Sequence, residues 1–315
     1  MTTNGEAGVK VLYIGGLGRS GSTLLDRMLG QIPGYFSAGE VRDLWQRGLR
    51  ENALCGCGIP FRECEVWTQV GKEAFGGWDQ IDPAEVQSLG RAVDRHGLIP
   101  LILAPRAWPP FRSKLDRYAR FLAPLYRAIN EVAGSRVVVD SSKAPSTAFL
   151  LRRVPGLDLR LIHLVRDSRG VAYSWTKRVV RPDMLNRDAE MHRYPPTRMA
   201  LRWLSRNGMM ELLGRLGHAE IRVTYEELVS APRVQLERIL TGLGEPVLPG
   251  ALDFISDGQI DLRPNHTVMG NPIRMETGPV RLRIDEQWRT SMDPRQVGMV
   301  TFLTRPLLRR YGYRP

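Results

Sequence analysis

Short apolar runs divide the chain and predict the strands of a sheet. The runs at 11–14, 136–140 and 159–165 are rich in Val, Leu and Ile, a composition typical of buried strands. A fourth strand, which runs into a turn, is predicted at 220–228. These runs are far apart in the sequence, and the residues between them show a different pattern.

Apolar residues at a spacing of three or four predict helices between and after these strands. The clearest are 199–216, 233–243 and a mainly helical region at 83–133 that is interrupted by several prolines. We expect the helical region to belong to an insertion at about 41–134 that covers a functional site. A last helix should begin with Asp293 as N-cap, and Pro306 should limit it.

A glycine-rich loop, residues 15–23, joins the first strand to the first helix. The helix follows at 24–29, where apolar residues recur at helical spacing. Such a unit presents backbone N–H groups at a helix N-terminus, where the helix dipole also favours an anion. Glycines let the backbone approach a phosphate, and Ser20, Ser22 and Thr23 add hydroxyl donors. The pattern predicts a phosphate-binding loop; the alternative is an ordinary glycine-rich turn.

The position of the basic residue distinguishes this loop from the phosphate-binding loop of a nucleoside triphosphatase. Residues 16–23 nearly match G-x-x-x-x-G-K-[ST], but Ser22 occupies the lysine position and the cation is Arg19. The arrangement resembles the 5′-phosphosulfate loop of the sulfotransferases, which use 3′-phosphoadenosine 5′-phosphosulfate (PAPS). The resemblance implies that this group is bound by Gly18, Arg19, Ser20, Gly21, Ser22 and Thr23.

Composition narrows the class of protein only in part. The net charge is +12, and 40 of the 45 basic residues are arginine, whose guanidinium suits phosphate and sulfate. The arginines are scattered, however, so a solvated surface explains most of them. Three cysteines do not make a disulfide framework. The polar residues ahead of Val11 and the absence of a membrane-length apolar run predict a cytoplasmic protein without a membrane span.

An acid and an arginine follow the first helix, at Glu40 and Arg42. They resemble the G-E-x-x-R or E-x-R stretch of the tyrosylprotein sulfotransferase branch, in which the glutamate is the general base. The resemblance implies that Glu40 is the base and Arg42 its companion. One alternative is a helix-capping glutamate with a surface arginine. A competing base is His96, because the aryl branch of the family uses a histidine.

Two strand ends extend the resemblance. Lys143 follows the strand that ends in Asp140 and resembles the lysine that helps to hold the sulfuryl group. Arg166 and Ser174, eight residues apart, have the spacing of the pair that binds the 3′-phosphate. The alternatives are an exposed loop lysine for Lys143 and, in a triphosphatase, a magnesium ligand for Asp140. His163 lies inside its strand and is predicted to be a core histidine.

The last third of the chain adds nucleotide-binding candidates. Tyr225, in R-V-T-Y-E-E-L, resembles the family's tyrosine near the adenine. The loop G-N-P-x-R ends in Arg274 and resembles the basic loop that closes over PAPS. Arg274 is therefore the candidate for a second contact to the 3′-phosphate, with Arg283 a weaker one.

The cysteines form a compact turn at Cys55, Cys57 and Cys64. Zinc takes four ligands and this turn supplies three, and no histidine lies close in the sequence. The sequence therefore favours a small cysteine turn packed on Trp67, with no metal; the alternatives are a metal site and a redox pair of cysteines.

Together these motifs predict one sulfotransferase domain over 1–315. The resemblance implies an α/β fold with a central parallel sheet flanked by helices, like that of P-loop nucleoside triphosphatases. It also implies sulfuryl transfer from PAPS to a hydroxyl of a small-molecule, sugar or lipid acceptor, with no metal and no nucleic acid partner. A small-molecule kinase and a basic nucleic-acid-binding protein remain the alternatives. Neither accounts for Arg166 and Ser174 together with Glu40.

Overall fold

The computed structural model describes residues 8–181, 190–217 and 220–314. The polar N-terminal stretch 1–7 lies outside these ranges. No helix within the ranges combines the length and apolar character needed to cross a bilayer.

A parallel sheet of five strands forms the centre of the described chain. The strands are β1 (Val9–Gly16), β2 (Tyr35–Gly39), β3 (Val137–Lys143), β4 (Leu157–Val165) and β5 (Glu220–Thr224). Their order across the sheet is β2-β3-β1-β4-β5, and every neighbouring pair is parallel. The predicted central parallel sheet is confirmed. The edge strand β2 has no sequence signal comparable with the Val-rich runs.

Helices account for most of the remaining described chain. The first seven are α1 (Ser22–Leu29), α2 (Glu65–Phe75), α3 (Pro83–Val93), α4 (Ile99–Leu103), α5 (Pro109–Ala133), α6 (Pro145–Leu151) and α7 (Ser168–Ser174). They are followed by α8 (Pro196–Arg215), α9 (Tyr225–Ser230), α10 (Pro232–Gly242), α11 (Trp288–Ser291) and α12 (Pro294–Arg310). A π-helix spans Leu44–Arg50. A small antiparallel sheet contains β6 (Ile255–Ser256), β7 (Gln259–Leu262) and β8 (Gly278–Arg281).

Alternate residues of β1 point to opposite faces of the central sheet, and each face has its own core. Val11 and Tyr13 pack in the cluster that includes the helices of the 41–134 region. Leu12 and Ile14 pack in the cluster formed with α1, α9 and α10. The sheet is therefore covered on both faces, which explains why its strands are apolar throughout.

Two element boundaries differ from the sequence prediction. The predicted strand 220–228 ends at Thr224, because Thr224 and Glu227 form a capping box that starts α9 at Tyr225. By contrast, the helical region is interrupted where predicted, because Pro100 and Pro109 occupy first-turn positions of new helices, α4 and α5, where no N–H bond is lost. Pro306 does not limit α12, which continues to Arg310 with Leu308 buried.

Candidate functional site

A cleft of about 620 Å³ opens at the carboxyl ends of β1, β3 and β4. Most of the predicted site residues line it, namely Gly18, Arg19, Gly21, Ser22, Thr23, Glu40, Arg42, Lys143, Arg166, Ser174 and Tyr225. These residues come from separate parts of the sequence. The topology brings them together because parallel strands end at one edge of the sheet.

The loop after β1 has the backbone that a close anion contact requires. Arg19 adopts a φ of 74° and Gly21 a φ of 88°, and α1 begins at the next residue, Ser22. A Cβ at Gly21 would lie 2.8 Å from Cδ2 of Tyr225, so this position needs glycine for space as well as for conformation. The Trp175 indole N–H donates to the Gly18 carbonyl at 3.1 Å and fixes the start of the loop.

Arg19 has hydrogen-bond donors that the described chain does not use. Its Nε and Nη2 atoms are buried and have no hydrogen-bond partner within the described ranges. Its guanidinium lies 5.3 Å from the centre of the Trp175 ring. Burial, and next the charge of Arg166, lower the pKa of Arg19. Two guanidinium groups close together, one with unsatisfied donors, form a site that an anion would stabilise.

Arg166 lies between the loop, an aromatic ring and the C-terminal segment. It donates to the Arg19 carbonyl at 3.0 Å and to the Asp285 carbonyl at 2.7 Å. Its guanidinium stacks over the Tyr225 ring at 4.5 Å, and Asp285 Oδ2 lies 3.2 Å from Nη2. Ser174, the last residue of α7, also lines the cleft. The sequence does not predict the contact between Asp285 and Arg166, because no motif around Asp285 indicates it.

Glu40 and Lys143 form an ion pair inside the cleft. Lys143 Nζ lies 2.5 Å from Glu40 Oε1, and both side chains are about one-seventh exposed (14%). A second N–H of Lys143 donates to the Ser141 carbonyl at 3.2 Å. The ammonium carries three N–H groups, so after the two contacts in the described ranges one is left for a ligand. Lys143 has a φ of 67°, which turns the chain sharply at the end of β3.

The side chain of Arg42 pairs with Asp94 and not with Glu40, its predicted companion. Its Nε donates to Asp94 Oδ2 at 2.7 Å and its Nη2 to the Asp94 carbonyl at 2.9 Å. Its backbone N–H donates to Ser142 Oγ at 3.1 Å, which ties the Glu40 segment to β3. Arg42 therefore anchors this segment, and its guanidinium is paired with Asp94.

Asp43 is a cleft residue that sequence reasoning missed. It lines the cleft one 3₁₀ turn after Glu40. Burial, and next the charge of Glu40, raise the pKa of Asp43. The acid-rich spacing E-x-x-D was the available signal, since residues three apart meet on one side of a tight helical turn.

Four predicted residues do not line the cleft within the described chain: Ser20, Arg274, Arg283 and the competing base His96. Ser20 is a buried residue of the loop. Arg274 is 1% exposed and donates to the Thr267 and Leu54 carbonyls at 2.8 and 2.6 Å. Burial, followed by Arg206 and Arg42, lowers the pKa of His96 to about 4. The Arg283 carbonyl accepts from the Tyr225 hydroxyl at 3.4 Å.

One arginine of α1 fastens the C-terminal loop at 263–276 to this helix. The buried Arg27 donates to the carbonyls of Arg263, Ile273, Arg274 and Glu276 at 2.6 to 3.1 Å. The Asn271 N–H donates to Thr23 Oγ1 at 3.0 Å. The loop at 269–273 thereby forms one wall of the cleft.

Two buried acids lie behind the cleft, Asp26 and Asp140. Asp140 accepts from Ser142 Oγ and the Tyr126 hydroxyl, both at 2.5 Å, and is fully buried. Burial raises the pKa of Asp140 to about 6 and that of Asp26 to about 8. Ser37 Oγ donates to Asp26 at 2.5 Å and offsets part of the effect of burial. The core histidine predicted at His163 is confirmed: it is buried and bonded to Asn207 at 2.9 Å.

The raised pKa of Asp26 makes stability depend on pH. An unfolded aspartate has a pKa of about 3.9, so between about pH 4 and 8 the folded chain binds more protons than the unfolded chain. The free energy of unfolding should therefore fall as pH rises through this window. Between about pH 5 and 8 we expect a fall at least about 1 kcal/mol larger in wild type than in Asp26→Asn, measured by urea unfolding.

The exposed Asp79 supplies the control for this prediction. Asp79→Asn makes the same chemical change on the surface and should keep the wild-type pH dependence. Equal slopes in wild type and Asp26→Asn would contradict the raised pKa of Asp26.

The cysteine turn has a fourth potential ligand that the sequence analysis did not identify. The structure places His266 against Cys55, Cys57 and Cys64, and their ligand atoms all lie within 4.8 Å of one another. The count of three ligands was wrong because His266 is about 200 residues away in the sequence and no local pattern links it to the turn.

Comparison with known proteins identifies the fold. The sulfotransferase domain from the Synechococcus PCC 7002 olefin synthase is 20% identical, with a TM-score of 0.57 over 100% of this chain and 98% of that chain. The sulfotransferase domain from the curacin biosynthetic pathway is 18% identical, with a TM-score of 0.53 over 96% and 97%. No protein-family model and no curated protein matches the sequence. The likeness is therefore one of structure: the chain has the sulfotransferase fold.

Proposed function

We propose that this protein is a sulfotransferase that uses PAPS as donor and an acceptor hydroxyl as the attacking group. The observation that supports it best is the pair of buried Arg19 donors without a partner in the described chain. These donors lie in a glycine-rich loop at a helix N-terminus, beside a second guanidinium, that of Arg166. Such a site binds a ligand that carries more than one anionic group.

Different cleft residues would bind the phosphosulfate, the 3′-phosphate and the base of the donor. Arg19 and the N–H groups at the start of α1 would bind the phosphosulfate. Arg166 and Ser174 would bind the 3′-phosphate, and the Tyr225 ring, which lines the cleft, would contact the base. The cleft volume of about 620 Å³ suits a nucleotide with a small acceptor.

The reaction follows from charge placement in the cleft. The donor supplies a sulfuryl group whose bond to phosphate is readily broken. Glu40 takes the proton of the acceptor hydroxyl as the new O–S bond forms. Lys143 and Arg19 stabilise the negative charge that passes to the departing phosphate as the S–O bond breaks. Lys143 also holds Glu40 in place, and Arg42 positions the segment that contains it.

The cleft residues that are not assigned to the donor are rich in arginine. Arg42, Arg202 and Arg206 line it together with Glu190 and His192. Burial, followed by Arg42 and Arg202, lowers the pKa of Arg206 to about 10, which indicates crowded positive charge. We therefore expect acceptors that carry a carboxylate or phosphate beside the hydroxyl to be preferred over neutral ones.

A binding and transfer experiment tests the proposal. Calorimetry should detect binding of 3′-phosphoadenosine 5′-phosphate (PAP) and none of ATP with magnesium. Radiolabelled PAPS should then be supplied with a panel of hydroxyl compounds in matched neutral and anionic pairs. Transfer to an anionic member is the expected result.

The two alternative functions predict other outcomes. Binding of Mg-ATP without PAP would establish the kinase alternative, for which the loop lacks its lysine. Salt-sensitive binding of DNA or RNA without PAP binding would establish the nucleic-acid alternative.

A further inference from the structure

The four side chains of the cysteine turn are arranged as ligands of one ion. Cys64 Sγ lies 3.3 Å from His266 Nδ1, and Cys55 Sγ lies 3.8 Å from the same nitrogen. The Cys57 and Cys64 sulfurs are 3.8 Å apart. A tetrahedral zinc ion with Zn–S of about 2.3 Å and Zn–N of about 2.0 Å places its ligand atoms about 3.5–3.8 Å apart. These three separations lie close to this range, and all the ligand atoms lie within 4.8 Å of one another.

The local backbone is shaped to bring these ligands together. The Cys55 N–H donates to the Ile59 carbonyl at 2.8 Å and the Gly58 N–H to the Cys55 carbonyl at 2.9 Å, which folds the turn tightly. Gly58 has a φ of 85°, a conformation that favours glycine. The Gly56 N–H donates to the Thr267 carbonyl at 3.0 Å, so this turn is joined to the loop that contains His266.

Hydrogen bonds to and within the 265–267 segment hold the backbone of His266 in place. The Trp67 indole N–H donates to the His266 carbonyl at 2.7 Å. Asn265 Oδ1 accepts from the Thr267 N–H at 3.0 Å and from its hydroxyl at 2.6 Å, which shapes the loop around His266. Supporting contacts of this kind orient the ligands of structural metal sites.

A buried cation lies beside both ligand segments. The Arg274 guanidinium donates to the carbonyls of Leu54 and Thr267, the residues next in sequence to Cys55 and His266. Three thiolates and a neutral imidazole around Zn²⁺ carry a net charge of about −1, which is costly to bury alone. A guanidinium in this position offsets that charge.

We propose that Cys55, Cys57, Cys64 and His266 bind a structural zinc ion. Three thiolates and one imidazole in a tetrahedral arrangement favour zinc among the common metals. With four protein ligands, the ion has no position left for a substrate, so it takes no part in sulfuryl transfer.

The ion would tie the cysteine turn to a wall of the cleft. The His266 loop continues into residues 269–271, which line the cleft, and the Val268 N–H donates to the Ala38 carbonyl at 3.0 Å. Ala38 lies two residues before Glu40. The proposed zinc site therefore supports both the cleft wall at 269–273 and the segment that contains the proposed base, Glu40.

Metal analysis of the purified protein tests this proposal. Mass spectrometry of protein prepared without chelators should find about one zinc per chain. X-ray absorption at the zinc edge should show three sulfur ligands at about 2.3 Å and one nitrogen at about 2.0 Å. This measurement uses the unmodified protein, so it does not depend on the folding of a variant or on nucleotide binding.

Variants then assign the ligands. Cys57→Ser, at the half-buried cysteine, and His266→Asn should lower the zinc content about tenfold or more, because each leaves three ligands. His96→Asn removes a histidine outside the turn and should keep the wild-type content. Zinc-free protein with three titratable thiols, or with a disulfide between Cys57 and Cys64, would overturn the proposal. Either result would leave the proposed function unaffected.

Discussion

Glu40→Gln should lower turnover by about 10²–10⁴ while PAP affinity stays near wild type. The substitution keeps the size of the side chain but removes the proton acceptor. Glu40 lies in the cleft against Lys143, which can hold the amide oxygen of glutamine in the same place. The loss should therefore fall on the chemical step, measured as kcat with labelled PAPS, and not on nucleotide binding.

Two variants control this experiment. Glu286→Gln makes the same charge change at an exposed position outside the cleft and should keep wild-type turnover. His96→Ala tests the competing base. Near-normal turnover in Glu40→Gln with a collapse in His96→Ala would reverse the assignment.

Arg19→Ala and Arg166→Ala should each weaken PAP binding by about 1.5–3 kcal/mol, because each removes hydrogen bonds to a charged group. The two losses should be distinguishable. Arg19→Ala should weaken both PAP and adenosine 5′-phosphate, since Arg19 lies in the loop at the start of α1. Arg166→Ala should weaken PAP far more than adenosine 5′-phosphate, which lacks the 3′-phosphate. Calorimetry with both nucleotides measures these effects.

The controls separate a lost contact from a lost fold. Arg166→Lys keeps the charge next to the Arg19 and Asp285 carbonyls and should restore part of the PAP affinity. Arg305→Ala removes an exposed arginine of α12 and should leave binding unchanged. Unchanged PAP affinity in Arg19→Ala or Arg166→Ala would remove that residue from the proposed site.

The sequence predicts those parts of the structure that are determined by their own residues. The strands β1, β3 and β4 are apolar because both faces of the sheet are covered, so their sequences alone identify them. The glycine loop is likewise explained by its own backbone, with positive φ at Arg19 and Gly21. In contrast, β2 is an edge strand and its residues lack that pattern.

What the sequence did not predict depends on contacts between distant residues. Arg274 and Arg19 each lie in a glycine-containing loop and were both predicted to bind the donor. The structure separates them, because Arg274 is buried against two carbonyls while Arg19 lines the cleft. The pairing of Arg42 with Asp94 depends on how the 41–134 region packs, and so does the position of His96. Only the fold brings His266 to the cysteines. In each case the deciding partner lies tens to hundreds of residues away.

The contacts of Arg27 have a consequence for the order in which the protein is made. Its carbonyl acceptors lie 236 to 249 residues later in the chain. At about 5–20 residues per second, α1 leaves the ribosome some tens of seconds before these acceptors exist. A nascent chain that has not reached residue 263 therefore contains the complete glycine loop but none of the wall at 269–273. The proposed donor-binding residues Arg19, Arg166, Ser174 and Tyr225 are therefore all synthesised before this wall, and the contact between Asn271 and Thr23 is added to them afterwards.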